Sequence, residues 1–383
     1  MSPPRLSTGL RPAFAGAAAT CSGIGLSRFA YVPLFPAMVA AGWVSGAEGG
    51  VLGALNLAGY LLGVLGGRMI ARRLGTARTL DLGMALAVLG FAACAANLGA
   101  TWLASWRFVS GAAGGILMAL AGPAVQGAVE PVRRGMAGGI VIGGVAIGIM
   151  AASGAVPAAL ALGIPATWLL LAGIVAALWA AVHRSWPDTP IPPPPSAGTR
   201  ARSGILQTAY GLSAAGLVPH MVYFADLAIR GHGLSPAFGA ALWLVFGAGG
   251  LAGTLLAGSL LGRLGALPAF RLWLALQVAA LAAALSSSAT LLSLSAFAGG
   301  FSTLGLTTIA LARARELAGP GAGAVWVKAT AAFAVAQAGA GFALAAIFAR
   351  TGSHQSVFLA GLVLSGAALL VSFVGADRPA AEA

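Results

Sequence analysis

The chain has 383 residues, of which 59% are hydrophobic and only 8% charged, and its formal net charge is +13. Its long apolar stretches exclude a soluble globular domain, because most approach or exceed the ~20 residues that a helix needs to cross a bilayer. The arginines are spread through short loops that can face anionic lipid, so the basic balance does not indicate a nucleic-acid partner. Composition therefore predicts an integral membrane protein whose surroundings are the lipid bilayer.

Twelve apolar stretches follow one another along the chain. They are rich in alanine and leucine and lack the two-residue alternation of an outer-membrane strand, so in lipid they must satisfy their backbone groups as helices. This predicts an all-α integral membrane protein of twelve transmembrane helices. The predicted spans are 13–40, 49–67, 79–97, 103–125, 136–158, 165–182, 205–226, 238–261, 270–288, 290–312, 324–348 and 355–375.

The positive charges alternate between the two sides of these spans. Most of the 21 Lys and Arg residues lie on the side that holds both termini and the even-numbered loops. The opposite side has only Arg230 and Arg350, and Arg28, Arg107 and Lys328 lie inside apolar segments. The positive-inside rule therefore predicts a multi-pass protein of the cell inner membrane with both termini in the cytoplasm.

The first predicted helix contains a buried arginine. Arg28 is about fifteen residues into the helix, roughly 22 Å from its start, so its side chain does not easily reach either water layer. At helical spacing it shares a face with Tyr31, and Pro33 and Pro36 predict a bend just beyond. A buried guanidinium suits a carboxylate, phosphate or sulfate on a substrate. The alternative is that Arg28 only links helices through backbone carbonyls.

The run Gly23–Pro36 resembles the first helix of the YbfB/YjiJ branch of the major facilitator superfamily, which carries a G-x-G-x-x-R-F-A-Y-x-P-x-x-P pattern. Similarity extends over most of the chain, through Tyr210–Leu212 and the region of Thr330–Phe333 and Gln337. The resemblance implies the major facilitator fold, with two pseudo-symmetric six-helix bundles. It also implies alternating-access secondary transport of a small-molecule substrate.

Two short loops have related sequences. Gly262, Arg263 and Gly265 fit the superfamily loop signature G-x-x-x-D-R-x-G with glycine in place of the acid, and Arg72, Arg73 and Gly75 repeat its end in the first half. We interpret both as gating loops, in which glycine permits a tight turn and arginine pairs with a helix end or a carboxylate. The alternative is a pair of basic turns that only set topology.

The fourth predicted helix contains a second intramembrane arginine. Arg107 with Ser110 and Gly111 resembles the R-x-x-Q-G motif of the same superfamily, with serine for glutamine. An arginine in an apolar span costs roughly 2.5 to 3.5 kcal/mol on insertion scales, so it is expected to face a cavity or a partner. Because Arg107 is near the start of its helix, snorkelling to the interface is the alternative.

A Pro-rich segment divides the chain. Residues Trp186 to Ser203 include four consecutive prolines, which predicts an extended cytoplasmic linker. The predicted organisation is an N-terminal six-helix bundle at 1–182, a linker at 183–204 and a C-terminal six-helix bundle at 205–383. Related short sequences recur at an offset of about 190 residues, which supports an internal duplication.

The seventh predicted helix contains titratable residues. His220, near mid-depth, is the first candidate for proton coupling, and Asp226 is the second. A packing role for His220 and an interfacial position for Asp226 are the alternatives. Tyr223 shares the His220 face and is a candidate substrate contact.

Other polar side chains in the spans are candidates for lining a substrate cavity. Hydroxyls and amides also bond between helices at ~0.6 kcal/mol each, which is the alternative role. The candidates for substrate binding beside Arg28, Tyr31, Arg107 and Tyr223 are Asn56, Tyr60, Thr303 and Gln337.

Several chemistries lack a sequence signal. The single lysine, Lys328, lies in no phosphate-binding loop, and the eight acids and four histidines are scattered, so we expect neither an ATPase, nor a metal site, nor an organic cofactor. The sequence therefore predicts a non-enzymatic, monomeric secondary transporter of a small organic solute, in which Arg28 and Tyr31 recognise an anionic or polar group. Proton coupling and uncoupled facilitation both remain open, as do import and export. The alternative is a non-transporting polytopic membrane protein, such as a lipid-modifying enzyme or a sensor.

Overall fold

The structure is a computed structural model that describes residues 9–187, 203–319 and 322–374. In these ranges eleven helices are long and apolar enough to cross a membrane, and a twelfth helical segment, at 204–231, is divided into pieces. The prediction of an all-α protein with twelve membrane helices is confirmed. The helices are α1 Arg11–Ala40, α2 Gly46–Leu74, α3 Thr76–Cys94, α4 Ala100–Ala128, α5 Arg134–Leu160, α6 Ile164–Val182, α7 204–231, α8 Pro236–Leu264, α9 Ala266–Ala284, α10 Ala289–Ala318, α11 Ala322–Thr351 and α12 His354–Val371.

The turns before α3 and α9 each consist of one glycine. Gly75 has φ +87° and ψ 156°, and Gly265 has φ +77° and ψ 164°. This region of backbone conformation is essentially restricted to glycine. The two helices consequently begin at Thr76 and Ala266, earlier than the predicted positions 79 and 270.

Helix α1 is interrupted in the middle. A π-helical segment, Cys21–Leu26, is followed by turns at residues 27–30, and the α-helix resumes at Tyr31. The bend was predicted at Pro33 and Pro36, just beyond Arg28 and Tyr31, but the interruption lies before Pro33 and both prolines are in regular helix. A proline ring clashes with the carbonyl four residues earlier, here that of Phe29, and this explains the loss of regular helix on that side.

Glycines allow α1 to approach its neighbours closely at the interruption. A Cβ added to Gly25 would lie 2.7 Å from the Cα of Gly148 on α5, and one added to Gly23 would lie 3.1 Å from the Cα of Gly114 on α4. The hydroxyl of Thr20 also donates a 2.5 Å hydrogen bond to the Val141 carbonyl on α5. The irregular part of α1 is therefore held between α4 and α5.

Helix α7 is also irregular, although a continuous helix at 205–226 was expected. It consists of Gly204–Gly216, Val218–Val222, Phe224–Asp226 and a final π-helical turn, Leu227–Gly231. Pro219 lacks an N–H and its ring opposes the carbonyl of Ala215, which explains the break at Leu217.

The chain forms two compact units, Met1–Pro192 with Ser235–Leu244 and Pro193–Leu234 with Val245–Ala383. Residues 188–202, which contain about two thirds of the linker predicted at 183–204, lie outside the described residues. Trp186, expected at the start of that extended segment, is instead 8% exposed and packs on the first unit.

Candidate functional site

Two arginines lie buried in the first unit. Arg28 is 7% exposed and Arg107 is 1% exposed. The guanidinium carbon of Arg28 lies 4.1 Å from the centroid of the Tyr60 ring, and that of Arg107 lies 4.5 Å from the centroid of the Tyr31 ring. These distances are those of cation–π contacts. We call Arg28, Tyr31, Asn56, Tyr60 and Arg107 the arginine cluster.

Backbone carbonyls released by the interruption of α1 organise this cluster. Arg107 donates from Nη1 to the Ser27 carbonyl at 2.7 Å. The Asn56 amide donates to the Arg107 carbonyl at 3.1 Å and lies 3.5 Å from the Ser27 carbonyl. A carbonyl with no intrahelical donor in an apolar interior costs free energy unless another donor reaches it. Arg107 and Asn56 provide those donors from α4 and α2.

The tyrosines of the cluster have different supports. Tyr31 donates its hydroxyl to the Gly49 carbonyl at 2.8 Å and stacks on Phe35 at 5.6 Å between ring centroids. Tyr60 is 8% exposed and covers the Arg28 guanidinium. Tyr31 is therefore held at its hydroxyl and by stacking of its ring.

Trp168 is a neighbour of the cluster that sequence reasoning missed. It lies on α6, is 1% exposed, and its ring centroid is 6.0 Å from the Arg107 guanidinium carbon. No local sequence signal connects Trp168 to Arg107, because the contact arises only when α4 and α6 pack in the same bundle.

The carboxylates of the first half that the structure describes have other partners. Glu48 forms a capping box with Ser45, and Glu130 lies 3.9 Å from Arg133. Asp81 accepts hydrogen bonds from two indole N–H groups. None of the four ion pairs in the described ranges includes Arg107.

In the second unit, His220 is enclosed by aromatic rings. It is 0% exposed, and its Nε2 lies 2.9 Å from the hydroxyl of Ser295. The Ser295 hydroxyl donates its proton to the Ala280 carbonyl at 2.7 Å, so its oxygen accepts the hydrogen bond from His220. The proton of the neutral His220 ring is therefore on Nε2. Phe224, Phe246 and Phe358 contact the imidazole.

Asp226 lies in a polar cluster at the end of α7. It is 0% exposed, and both of its oxygens accept hydrogen bonds from Arg230 at 2.5 Å. His354, the first residue of α12, approaches the same carboxylate with Nε2 at 2.7 Å. We call Asp226, Arg230 and His354 the aspartate cluster.

The aspartate cluster was only partly predictable. The spacing of four residues between Asp226 and Arg230 is an ion-pair signal that the sequence contains. His354 is 128 residues away from Asp226, so no local pattern indicated it as a partner. His232, in the loop after α7, has a pKa below its usual range because of burial and, secondarily, the nearby His354.

The remaining predicted contacts lie in the second unit. The Tyr223 ring packs against Phe348 at 5.4 Å, and the Gln337 amide lies 3.2 Å from the sulfur of Met221. Thr303 donates to the Gly299 carbonyl of its own helix at 2.6 Å.

The predicted gating loops are exposed turns. Arg72, Arg73 and Arg263 are exposed at the ends of α2 and α8. Gly265 is followed by Ala266, whose N–H donates to the Glu316 carboxylate of α10 at 2.7 Å. A carboxylate at a helix N-terminus is favourable for the helix dipole, and sequence reasoning did not identify Glu316 in this position.

A family model described as the uncharacterised MFS-type transporter YbfB matches residues 20–374. The chain belongs to this family. It is therefore a multi-pass membrane protein of the major facilitator superfamily and a transporter. The predicted membership of the YbfB/YjiJ branch and the predicted fold are confirmed. The match favours a transporter over the alternative of a non-transporting membrane protein. No curated protein sequence matches this member of the YbfB-type family.

A solved structure of the nucleoside transporter NupG has the same fold as this YbfB-type protein. The match has a TM-score of 0.71 at 12% sequence identity and covers 95% of this chain and 98% of the NupG chain. At this identity the likeness concerns the fold, and the substrate of NupG is not transferred to this protein.

Proposed function

We propose that the protein is a secondary transporter of small organic anions and that Arg28 binds the anionic group. The observation that supports this most directly is the burial of two guanidiniums, Arg28 and Arg107, in one apolar helical unit. Charged groups inside membrane proteins are costly and usually mark substrate or ion pathways. A bound anion offsets that cost, which favours anion binding beside these arginines.

The two arginines have different roles in this proposal. Arg107 is 1% exposed and its Nη1 is occupied by the Ser27 carbonyl, so it positions the interrupted part of α1. Arg28 is 7% exposed and lies against the Tyr60 ring, and the planar fork of a guanidinium matches carboxylate, phosphate or sulfate in a bidentate contact. Arg28 is accordingly the substrate contact, and Arg107 raises the local positive potential.

The irregular segments of α1 and α7 supply places where backbone geometry changes during transport. In α1 the interruption at residues 27–30 includes Arg28, and in α7 the breaks at Leu217 and Tyr223 precede Asp226. Breaks in membrane helices are common points of bending. In the proposed alternating-access cycle, these segments expose the arginine cluster to one side of the membrane at a time.

For coupling, the aspartate cluster is the preferred proton site. Asp226 and His354 link the end of α7 to the start of α12, and an imidazole and a guanidinium both contact the one buried carboxylate. His220 was the first candidate in the sequence, but its aromatic surroundings and its hydrogen bond to Ser295 favour a packing role. We further propose that the protein is a monomer in the inner membrane. Both of its termini are then in the cytoplasm.

Substrate counterflow in proteoliposomes tests this function. The purified protein is reconstituted and tested with a panel of small carboxylates, phosphate esters and sulfonates, each paired with a neutral analogue of similar size. Selective exchange of one class of anion supports the proposal. Exchange of neutral or cationic solutes without any anion would contradict it.

A further inference from the structure

A groove on the surface of the first unit contains a carboxylate. It has a volume of about 350 Å³ and is lined by Asp81 of α3 together with residues of α6 and the turn after it, namely Ala176, Trp179, Ala180 and His183. It lies apart from the arginine cluster and has no role in the function proposed above.

The carboxylate in the groove is oriented by two indoles. The Nε1 atoms of Trp179 and Trp186 each donate to the same oxygen, Oδ1 of Asp81, at 2.7 Å. Both donors are neutral, so they fix the position of the carboxylate without cancelling its charge. None of the four ion pairs in residues 9–187, 203–319 and 322–374 includes Asp81. Oδ2 therefore has an acceptor site for a cation.

The groove lies near the first residue of α3, and the end of a membrane-spanning helix is where phospholipid head groups are expected. Asp81 is the sixth residue of α3, about 7.5 Å from the start of the helix. Trp179 and Trp186 are amphipathic side chains of the type that collects at membrane interfaces. Most residues of helix α6 are not buried inside the protein, and Ala180 and His183 are exposed beside the groove. A lipid head group has access to this position.

The charges around the groove fit a zwitterionic head group. Arg78, one turn before Asp81, and Arg184, next to His183, are both exposed. A lipid phosphate can accept hydrogen bonds from these arginines while an amine on the same lipid approaches Asp81. An anionic lipid would satisfy the arginines alone and leave the carboxylate without a cation.

We propose that this groove binds an aminophospholipid with a primary ammonium group, such as phosphatidylethanolamine. The ammonium donates a charge-assisted hydrogen bond to Oδ2 of Asp81, as a lysine does. A choline head group has no N–H to donate, so the site distinguishes the two by hydrogen bonding. The two indoles donate to Oδ1 and so hold the carboxylate in place.

Native mass spectrometry of the purified full-length protein tests this proposal. The protein is titrated with dioleoylphosphatidylethanolamine, its N,N-dimethyl derivative, dioleoylphosphatidylcholine and dioleoylphosphatidylglycerol. Retention of bound lipid is expected to fall as N–H donors are removed, with about a tenfold preference for the primary amine over choline. Equal retention of the amine and choline lipids, or a preference for phosphatidylglycerol, would overturn the proposal.

A charge-neutral variant identifies the residue responsible. Asp81→Asn keeps an oxygen for the indoles but removes the charge, so the preference for the primary amine is expected to disappear. The matched control is Glu130→Gln, which removes an acid paired with Arg133 in a loop. A preference that persists in Asp81→Asn would assign the lipid to another site. The lipid series on the unaltered protein decides the matter if the variant does not fold, and neither result depends on transport of an anion.

Discussion

The guanidinium of Arg107 lies over the ring of Tyr31 at 4.5 Å and donates to the Ser27 carbonyl at 2.7 Å, so one side chain of α4 contacts the first residue of the interruption in α1 and the residue that follows it. A regular helix would have satisfied the Ser27 carbonyl within α1. The interruption instead makes the structure of α1 dependent on a buried charge, and this explains why an apolar bundle retains an arginine that forms no ion pair in the described residues.

Replacing Arg107 is expected to destabilise the protein. Arg107→Ala leaves the Ser27 carbonyl without its shortest donor and creates a cavity, for a loss of about 2 to 4 kcal/mol in the free energy of unfolding. Thermal unfolding in detergent measures the change against Arg350→Ala, an exposed arginine at the end of α11. Equal unfolding temperatures for the two variants would show that Arg107 does not hold α1.

Tyr60 is expected to act through its ring. Tyr60→Phe keeps the aromatic face beneath Arg28 and should leave anion transport within about twofold of the unaltered protein. Tyr60→Leu removes the cation–π contact, worth roughly 1 to 2 kcal/mol when desolvated, and should lower apparent affinity by about tenfold. If the phenylalanine variant were as impaired as the leucine variant, the hydroxyl would be the functional group.

The glycine turns give a prediction about backbone conformation. A Cβ at Gly75 would meet no atom within 4 Å, so any cost of Gly75→Ala comes from its φ of +87°. That cost is about 1 to 3 kcal/mol. Gly262→Ala is the control, because Gly262 also has open space but lies in helix α8, where alanine is favoured. Unfolding temperatures should fall for the first variant and stay level or rise for the second.

The sequence predicted the helices and the buried arginines more readily than their partners. Apolar length and loop charge were enough to indicate twelve spans, and depth in the helix indicated that Arg28 is buried. Regular helical spacing placed Arg28 and Tyr31 on one face of α1, but it did not indicate their partners on other helices. In the structure Arg28 contacts Tyr60 of α2 and Tyr31 contacts Arg107 of α4.

Contacts between distant helices had no local signal. The π-helical segment of α1 depends on glycines of α4 and α5, and the pairing of Asp226 with His354 depends on the packing of α7 and α12. A hydrophobic pattern indicates which residues are buried, but it does not indicate which helices pack against each other. The sequence therefore identified Asp226 as a titratable group and missed its histidine.

The aspartate cluster, which we propose as the proton site, is expected to determine the pH dependence of transport. His354→Gln removes the imidazole that contacts Asp226 and should flatten the dependence of uptake on external pH, measured with an imposed pH gradient in proteoliposomes. His183→Gln, an exposed histidine outside both clusters, is the control and should keep the profile of the unaltered protein. A flattened profile in a His220→Asn variant, with an unchanged profile in His354→Gln, would assign coupling to His220 instead.

The same substitution is expected to affect His232. Burial is the larger cause of its lowered pKa and the charge of His354 is the smaller one, both of which disfavour the protonated form. His354→Gln removes the smaller cause, so the pKa of His232 should rise but stay below its usual range. Histidine ring signals in NMR spectra recorded against pH measure the shift. A pKa of His232 that did not rise would place His354 too far away to act on it.

We propose that Arg28 binds the anionic group of the substrate. The most direct test is to compare binding of the best anion from the counterflow panel to the unaltered protein, Arg28→Ala and Arg350→Ala, using ligand-induced thermal stabilisation of each purified protein. We expect the affinity for the anion to be at least tenfold weaker in Arg28→Ala and unchanged in Arg350→Ala. Equal affinity in all three folded proteins would contradict it.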